Sequence, residues 1–438
     1  MKLLPLLACA GLLSCLSSPV LAWSNHSLGS LLALRDRPEL HQEVRVEPLE
    51  AFLADQAVAL ERLLDEQEAF AREHFAYYPA RPDALRWSAT GTGDRRAAFL
   101  RALRINPEVR LASFIQQLPG QDAGGRRLLG SDQVLVFHKV GPWTHWRYLG
   151  LRAGESVPAL QVLAGAADEP DYGHDINLFS DNPGEAGQRY NFGPQPFGDA
   201  RFEYSSQAPF HIGYYHEAAL IFAAAPYLGQ TLPHWRIYQY SGLARLAFAS
   251  GHPYWGYRFL GWAMHYLQDL TQPYHARVLP GVSSAGMVLI AAKAEAGYPQ
   301  AREAAIQRVA DRHTAIEQYQ FDRMQALLRD GQEQHPLLSA YAQVEVDAGY
   351  PAFGVDYAAQ VVAAESHARA DEFDALIGEW MARGSAARGF SEGNRLQSVQ
   401  PDPALELLLV ELFRHFGAHS RNALAAVQAD ATEVAAQR

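Results

Sequence analysis

The sequence is poor in cysteine and lysine, and its basic residues are outnumbered by acidic ones. Its 438 residues include two cysteines, Cys9 and Cys15, and three lysines, Lys2, Lys139 and Lys293. There are 37 basic and 48 acidic residues, so the formal net charge is -11. This acidic balance argues against a protein that holds nucleic acid through many phosphate contacts. With 48% hydrophobic and 19% charged residues, the composition is that of an ordinary globular protein.

Several motifs of well-known catalytic and binding sites are also missing. The sequence contains no P-loop, no dinucleotide fingerprint and no G-x-S-x-G turn that would present a serine nucleophile. Cys-x2-Cys is absent, and His216-Glu217 is followed by Leu220 where H-E-x-x-H would place its second histidine. These absences disfavour nucleotide binding through such motifs, serine esterase chemistry and a zinc protease site.

The first 22 residues have the pattern of a secretory signal peptide. Lys2 precedes an apolar run that ends at Ala22, and prolines and serines interrupt the run, unlike a membrane-spanning helix. Both cysteines lie in this segment, so cleavage after Ala22 would leave a chain without cysteine that begins at Trp23. Its formal charge would be -12, because Lys2 is lost from a chain of charge -11. A lipoprotein processed at Cys9 or Cys15 is the alternative, and we expect a secreted or periplasmic protein.

Most of the remaining chain has apolar residues at the three- and four-residue spacing of amphipathic helices. The sequence therefore predicts an all-α fold. Residues 164–208 are rich in Gly, Pro, Asp and Asn and are predicted to form a long loop, which in a compact protein is usually functional or mobile. Residues 134–137 and 146–149 are candidates for a short hairpin. Helices are predicted over 47–76, 95–117, 211–226, 235–250, 253–270, 299–330, 355–382 and 402–428.

The predicted helix over 253–270 carries a polar pair where a buried surface is expected. It is apolar on nearly every side, yet it contains His265 and Asp269, which are four residues apart and so share a face. Pro273 ends this helix, and His275 follows at once. A buried carboxylate without a partner is strongly unfavourable. This spacing therefore predicts a partner for Asp269 near the end of the helix.

A second such pair, His313 and Glu317, falls on the inward apolar stripe of the helix over 299–330. One inward histidine is more often a satisfied core residue than a ligand, but two pairs and the additional His275 favour a metal site. Imidazole nitrogen and carboxylate oxygen without thiolate suit zinc in a secreted protein.

These residues resemble the bacterial zinc-dependent phospholipases C, whose superfamily also contains the single-strand-specific zinc nucleases. The resemblance implies an all-α, multi-helix phospholipase C-like catalytic domain over 23–330, with an insertion at about 38–160. It also implies that residues 331–438 form a C-terminal helical extension packed on the same domain. The matching segments are His265-x3-Asp269-x5-His275, His313-x3-Glu317, Ala166-Ala167-Asp168 and a Trp23 placed directly after the signal peptide.

The resemblance implies a cluster of three zinc ions. One ion would be held by Asp168, His211, His265 and Asp269, a second by His275, His313 and Glu317, and a third by the α-amino and carbonyl groups of Trp23, by His26 and by a bridging Asp269. Asp168 would also be the catalytic residue that orients or deprotonates the attacking water. Asp171 and Asp175 are alternatives to Asp168, and His216 is an alternative to His211.

The activity implied by the resemblance is hydrolysis of phosphatidylcholine-like phospholipids, at a membrane or micelle surface, to diacylglycerol and a phosphorylated head group. The same ligands would serve a single-strand-specific zinc nuclease or 3′-nucleotidase, which is the first alternative; the acidic charge disfavours nucleic acid without excluding it. The second alternative is a secreted zinc-binding module without catalysis. Aromatic residues that suit acyl chains or a choline group, though they also suit base stacking, are Tyr172, Phe179, Tyr190, Phe192, Phe197, Phe210, Tyr214 and Tyr215.

Overall fold

The computed structural model describes residues 23, 25–117, 122–136, 147–198, 203–383 and 401–436. It is 62% helix and 4% strand, which confirms the all-α prediction. The predicted signal peptide lies outside the described residues. The helices are α1 (His26–Leu34), α2 (Leu49–Asp55), α3 (Ala57–His74), α4 (Arg95–Leu103), α5 (Ala159–Ala166), α6 (Ala186–Tyr190), α7 (Ala208–His211), α8 (Ala219–Ala224), α9 (Pro233–Ala249), α10 (Pro253–Asp269), α11 (Ser284–Glu295), α12 (Gln300–Arg329), α13 (Pro336–Ser339), α14 (Ala363–Ala382) and α15 (Pro403–Ala436).

The described strands form two small antiparallel sheets, β1 with β5 and β2-β4-β3 in that order. The predicted pairing of 134–137 with 146–149 is wrong for the described part. Residues 134–136 belong to no strand, and Leu149 lies opposite Ile115 and Leu128 instead. The strands are β1 (Glu43–Arg45), β2 (Phe114–Gln116), β3 (Leu128–Leu129), β4 (Tyr148–Gly150) and β5 (Ser156–Pro158).

The helices α9 and α10 form a tightly connected pair. Each begins at a proline, Pro233 or Pro253, which suits the first helical position because that position needs no N–H donor. Gly251 in the connection has φ of +81°, a left-handed conformation that glycine adopts without strain. The short connection lays the two helices against each other.

The helix α10 is buried along almost its whole length, because α5, α9 and α15 all pack against it. At Gly261 the backbones of α10 and α5 come close: a Cβ atom there would lie 2.5 Å from the carbonyl oxygen of Leu163. Glycine at this position therefore allows α5 to lie directly on α10. As a result, the chain that leaves α5 runs beside the residues at the end of α10.

The C-terminal segment shares the core of the remaining chain. The helix α15 contacts α1, α9, α10 and α14, and Leu409 and Phe413 belong to the same cluster of buried apolar side chains as Trp262. Such burial stabilises a fold by about 25 cal/mol per Å² of apolar surface. Among the residues that the structure describes, no helix combines the length and the apolar character needed to cross a membrane.

Two of the predicted helices are shorter in the structure. The helix predicted over 95–117 ends at Leu103, because Arg104 has a left-handed φ of +53°. The helix predicted over 211–226 is divided into α7 and α8. Gly213, which lies between them, donates its N–H to the carbonyl oxygen of His275 at 2.8 Å and so leaves the helical pattern. The helices α1 and α11 were not predicted, since neither has the regular charged face of an amphipathic helix.

Candidate metal centre

A stripe of large polar and aromatic side chains runs along one face of α10. Arg258, Trp262, His265 and Asp269 are spaced by four, three and four residues, which places them on the same side of a helix. His265 and Asp269 have no solvent-exposed surface. The stripe therefore brings a charged pair into the interior, where α1, α7 and the segment after α5 meet the end of α10.

His265 is held in one tautomer by the main chain. Its Nδ1 lies 2.7 Å from the carbonyl oxygen of Ala167, which can only accept, so Nδ1 carries the proton and donates it. The other ring nitrogen, Nε2, lies 3.0 Å from Nδ1 of His211, 3.4 Å from Oδ2 of Asp269 and 3.6 Å from Oδ1 of Asp171. A histidine that donates one ring N–H to a carbonyl oxygen and directs its unprotonated ring nitrogen at the centre has the arrangement of a metal ligand.

His26, the first residue of α1, is oriented in the same way. Its Nδ1 lies 3.0 Å from Oε1 of Gln268. Nε2 of Gln268 in turn donates to the hydroxyl groups of Ser30 and Ser420, at 2.8 and 3.1 Å. This network orients the histidine ring, so that Nε2 of His26 faces Oδ1 of Asp269 at 3.2 Å.

Two overlapping groups of possible ligands result, and they share His265. The ligand atoms of His26, His265 and Asp269 lie within 4.8 Å of one another, and so do those of Asp171, His211 and His265. Asp269 uses a different oxygen on each side: Oδ1 faces His26, whereas Oδ2 lies 2.7 Å from Nδ1 of His211. A carboxylate with one oxygen toward each group is suited to bridge two cations.

Some polar atoms of the centre are buried without a hydrogen bond to any described residue. Oδ2 of Asp171 and Nε2 of His275 have no hydrogen-bond partner among the described residues, and Nε2 of His26 lacks hydrogen-bond geometry toward Asp269. A buried polar atom left unpaired costs about 1–3 kcal/mol. A divalent cation bound by these lone pairs would remove that cost. The donor set of imidazole nitrogen and carboxylate oxygen fits zinc.

The second predicted ligand set adjoins the first and is arranged more loosely. His275 donates from Nδ1 to the carbonyl oxygen of His211 at 2.9 Å, which leaves Nε2 unprotonated in the neutral ring. Its ring centroid lies 5.1 Å from that of His313, and Nε2 of His313 is 2.9 Å from Oε1 of Glu317. All three side chains are buried. Within the described part of the chain, however, their ligand atoms do not all lie within 4.8 Å of one another.

Burial and neighbouring charge shift the pKa values of these groups in opposite directions. Burial lowers the pKa of His275 to about 4 and holds the pKa of His265 well below its ordinary value, so both rings are neutral at neutral pH. Burial alone would lower the pKa of His211. The negative charge of Asp269 and of further carboxylates outweighs this effect and raises the pKa of His211 to about 10. Burial raises the pKa of Asp171 to about 7.

Asp168 does not occupy the position predicted for it. Its Oδ1 accepts the N–H of Ser27 at 3.1 Å and its Oδ2 accepts from the side-chain amide of Gln116, so its negative charge lies at the N-terminal end of α1. The carboxylate beside His265 is Asp171, which was one of the alternatives. The physical reason is the tight turn after Asp168, which brings Asp171 round toward α10.

Two buried arginines near the centre were not predicted from the sequence. Arg236 of α9 donates from Nε and Nη2 to Oδ1 of Asp175. Oδ2 of Asp175 lies 3.6 Å from Nε2 of His211, so Asp175 adjoins His211 outside the two groups that share His265. Arg258 of α10 donates from Nε and Nη2 to the two oxygens of Glu169, at 2.8 to 3.1 Å. The position of Arg258 on the stripe of α10 was an available signal, but the spacing alone does not identify its partner.

Two further predictions have different outcomes. His216 is exposed, and its Nε2 donates to the carbonyl oxygen of Ala359. It therefore does not replace His211 as a ligand, which was the alternative considered. Trp23 is buried, and its indole N–H donates to the hydroxyl of Thr271 at 2.8 Å. The ligand role of its main-chain amine depends on cleavage after Ala22 and stays a prediction.

An apolar pocket of about 160 Å³ adjoins the second ligand set. Its wall consists mainly of apolar side chains from α7, α8, α11 and α12, and it includes Tyr274 and His313. Arg302 also lies in the wall, with its Nε buried and without a hydrogen-bond partner among the described residues. Among the aromatic residues expected near a substrate, Phe197 and Tyr214 line this pocket. The core instead contains Tyr172, Phe179, Tyr190, Phe192 and Phe210.

No protein-family model, no curated protein and no solved structure matches the chain. The site is defined by its own geometry: two His–carboxylate groups that share His265, an adjoining His–Glu pair, and an apolar pocket. These features define the class as an all-α protein with a buried histidine–carboxylate centre that could hold metal ions.

Proposed function

We propose that this protein is a metal-dependent phosphodiester hydrolase whose substrate is a phospholipid. The main observation behind the proposal is that His313 belongs to two sites at once. It pairs with Glu317 beside the centre, and it also lines the apolar pocket. A phosphodiester at the centre would therefore have an apolar cavity next to it. An apolar cavity of about 150 Å³ binds a benzene-sized molecule, so a pocket of about 160 Å³ has room for part of an acyl chain.

Zinc is the cation that best suits this donor set. When bound, it would neutralise charge on the phosphate oxygens and lower the pKa of water. A third ion would also need the free amine of Trp23. The side chains that would hold the ions are His26, Asp171, His211, His265 and Asp269 in the two overlapping groups, and His275, His313 and Glu317 in the adjoining set.

Proton transfer is assigned to Asp171 in this proposal. Its Oδ2 has no hydrogen-bond partner among the described residues, whereas its Oδ1 faces His265. Oδ2 would therefore accept a proton from water while Oδ1 is directed at the cation. Asp168, which is engaged by Ser27 and Gln116, would position α1 and with it His26.

A lipid is better supported than a nucleic acid. The chain has a net charge of -11, and a polyanion is bound most readily by a surface dense in Lys and Arg. The pocket beside the centre is lined largely by aliphatic side chains, which suit an acyl chain better than a base. The leader-like first 22 residues support a location in the periplasm or outside the cell.

The proposal is tested by assaying phosphatidylcholine and single-stranded DNA side by side, with and without a chelator. We expect diacylglycerol to be released, the release to stop on chelation and zinc to restore it. Acid-soluble nucleotides from DNA with intact lipid would instead identify a nuclease. If the zinc-loaded protein left both substrates intact, it would be a binding module and the proposal would be wrong.

The role of the pocket is tested by filling it. Ala291 of α11 lines the pocket, whereas the neighbouring Ala292 is exposed and does not line it, so Ala291→Phe and Ala292→Phe form a matched pair. We expect Ala291→Phe to raise KM for phosphatidylcholine about tenfold or more, as loss of 1–3 kcal/mol of apolar binding implies. Hydrolysis of a small soluble phosphodiester should not change. Equal KM values for the two variants would contradict this role.

A further inference from the structure

A second group of ligand-type side chains lies at the surface and shares no residue with the centre. It consists of His74 at the end of α3, His234 in the first turn of α9 and Asp356 shortly before α14. Oδ1 of Asp356 lies 2.9 Å from Nε2 of His74 and 3.6 Å from Nε2 of His234. The ligand atoms of all three lie within 4.8 Å of one another, and all three side chains are partly exposed.

Both imidazole rings are oriented by aromatic neighbours. His74 stacks on Phe70, with ring centroids 4.7 Å apart, and the ring of Phe75 meets both His74 and His234 edge-on. The centroids of the two imidazoles are 6.2 Å apart. An ion pair with Asp356 requires only one imidazole. Two imidazoles and a carboxylate directed at one point provide three of the four ligands of a tetrahedral site.

An oxygen atom is available close to the same point. Nε2 of His234 lies 2.6 Å from the carbonyl oxygen of Val355, to which it donates when no cation is bound. Burial lowers the pKa of His234, so its ring is neutral at neutral pH, and the neutral ring is the form that binds metal. Cation binding would replace this hydrogen bond, with the carbonyl oxygen or water completing the coordination.

We propose that His74, His234 and Asp356 form a surface binding site for one divalent cation of the zinc type. Imidazole ligands favour Zn²⁺ over Mg²⁺ and Ca²⁺, which prefer oxygen. The site would join α3, α9 and the segment before α14, whose outermost ligands are 282 residues apart in sequence. Both cysteines lie within the first 22 residues. No disulfide can therefore link α3 to the segment before α14. A cation at this site would restrict the chain between them, as a disulfide does in other proteins.

The test compares the full-length protein with its His74→Gln/His234→Gln variant after equilibration with micromolar free Zn²⁺. We expect the variant to bind one zinc ion fewer per chain, measured by plasma mass spectrometry, and to lose part of the rise in Tm that zinc causes. Lipid hydrolysis should stay unchanged, because the centre is untouched. Equal zinc content in both proteins would overturn the proposal and leave the three residues as a hydrogen-bonded group.

The matched control is His252→Gln. His252 also contacts two carboxylates, but it uses Nδ1 for Glu47 and Nε2 for Asp55, so the two carboxylates cannot meet on one cation. This variant should keep the zinc content of the natural chain. Asp356→Asn provides a milder change should the double variant not fold. We expect about tenfold or greater loss of zinc affinity at this site by titration calorimetry, and an unchanged affinity would also overturn the proposal.

Discussion

Two regions of buried charge lie beside each other along α10, and they are built from different partners. In the arginine region, Arg236 pairs with Asp175 and Arg258 pairs with Glu169. In the histidine region, which is the candidate metal centre around His265, carboxylates meet imidazoles. Both regions are withdrawn from solvent to a similar degree. The Arg236–Asp175 pair and the histidine region differ in whether all of their described polar side-chain atoms have hydrogen-bond partners.

The Arg236–Asp175 pair is hydrogen-bonded completely without a ligand, whereas Nη1 of Arg258 is buried without a hydrogen-bond partner among the described residues. All three nitrogens of the Arg236 guanidinium donate, not only to Asp175 but also to the carbonyl oxygens of Leu103 and Arg104 and to the side chain of Gln239. The histidine region leaves Oδ2 of Asp171 without a partner among the described residues. Burial alone therefore does not distinguish the Arg236–Asp175 pair from the candidate metal ligands. These two groups differ in whether every buried donor and acceptor has a partner within the described residues.

The largest effect is expected from breaking the arginine region with Arg236→Met. Both partners are fully buried, so Asp175 would lose its closest positive charge, and the free energy of unfolding should fall by about 3–5 kcal/mol. Urea denaturation measures this loss. The control Arg62→Met removes an exposed pair with Glu66 and should change stability by less than about 0.5 kcal/mol. If the free energy of unfolding fell by less than about 1 kcal/mol in Arg236→Met, the stability of the protein would not depend on this buried ion pair.

An intermediate effect is expected from removing metal from the histidine region. Zinc at a hundred times its Kd should stabilise the native protein by about 2.7 kcal/mol for each site, and a chelator should reverse the stabilisation. Asp269→Asn should lose most of the response to zinc, measured as the change in Tm. Asp371→Asn is the control, because Asp371 follows His367 at the same four-residue spacing but is half exposed and pairs with Arg277. If neither zinc nor a chelator changed the Tm of the natural chain, the result would contradict a metal centre.

The smallest effect is expected from a helix cap that acts on the histidine region indirectly. Asn25 accepts the N–H of Leu28 at 2.6 Å and caps α1, the helix that presents His26. Asn25→Ala should destabilise the protein by about 1 kcal/mol and also weaken zinc binding. Asp94→Ala removes the equivalent cap of α4 and should affect stability alone. Identical zinc affinities for the two variants would show that α1 does not control the position of His26.

The sequence was most informative where a polar residue interrupts an apolar pattern. His265 and Asp269 stand out on a helix that is otherwise apolar, and the structure buries both of them and brings His26 and His211 to them. The sequence was least informative in the loop after α5. Three aspartates lie within eight residues there, and nothing in their spacing shows that Asp171 faces His265.

The helical class and the two His–carboxylate pairs, His265 with Asp269 and His313 with Glu317, were determined by the sequence alone, because residues four apart share a helix face whatever surrounds them. Only the tertiary structure decided that Asp168 holds α1, that Asp171 faces the histidines and that His74 meets His234. Such contacts join segments far apart in the chain. They depend on how closely the helices approach, as at Gly261, and on the direction in which a short turn leaves its helix.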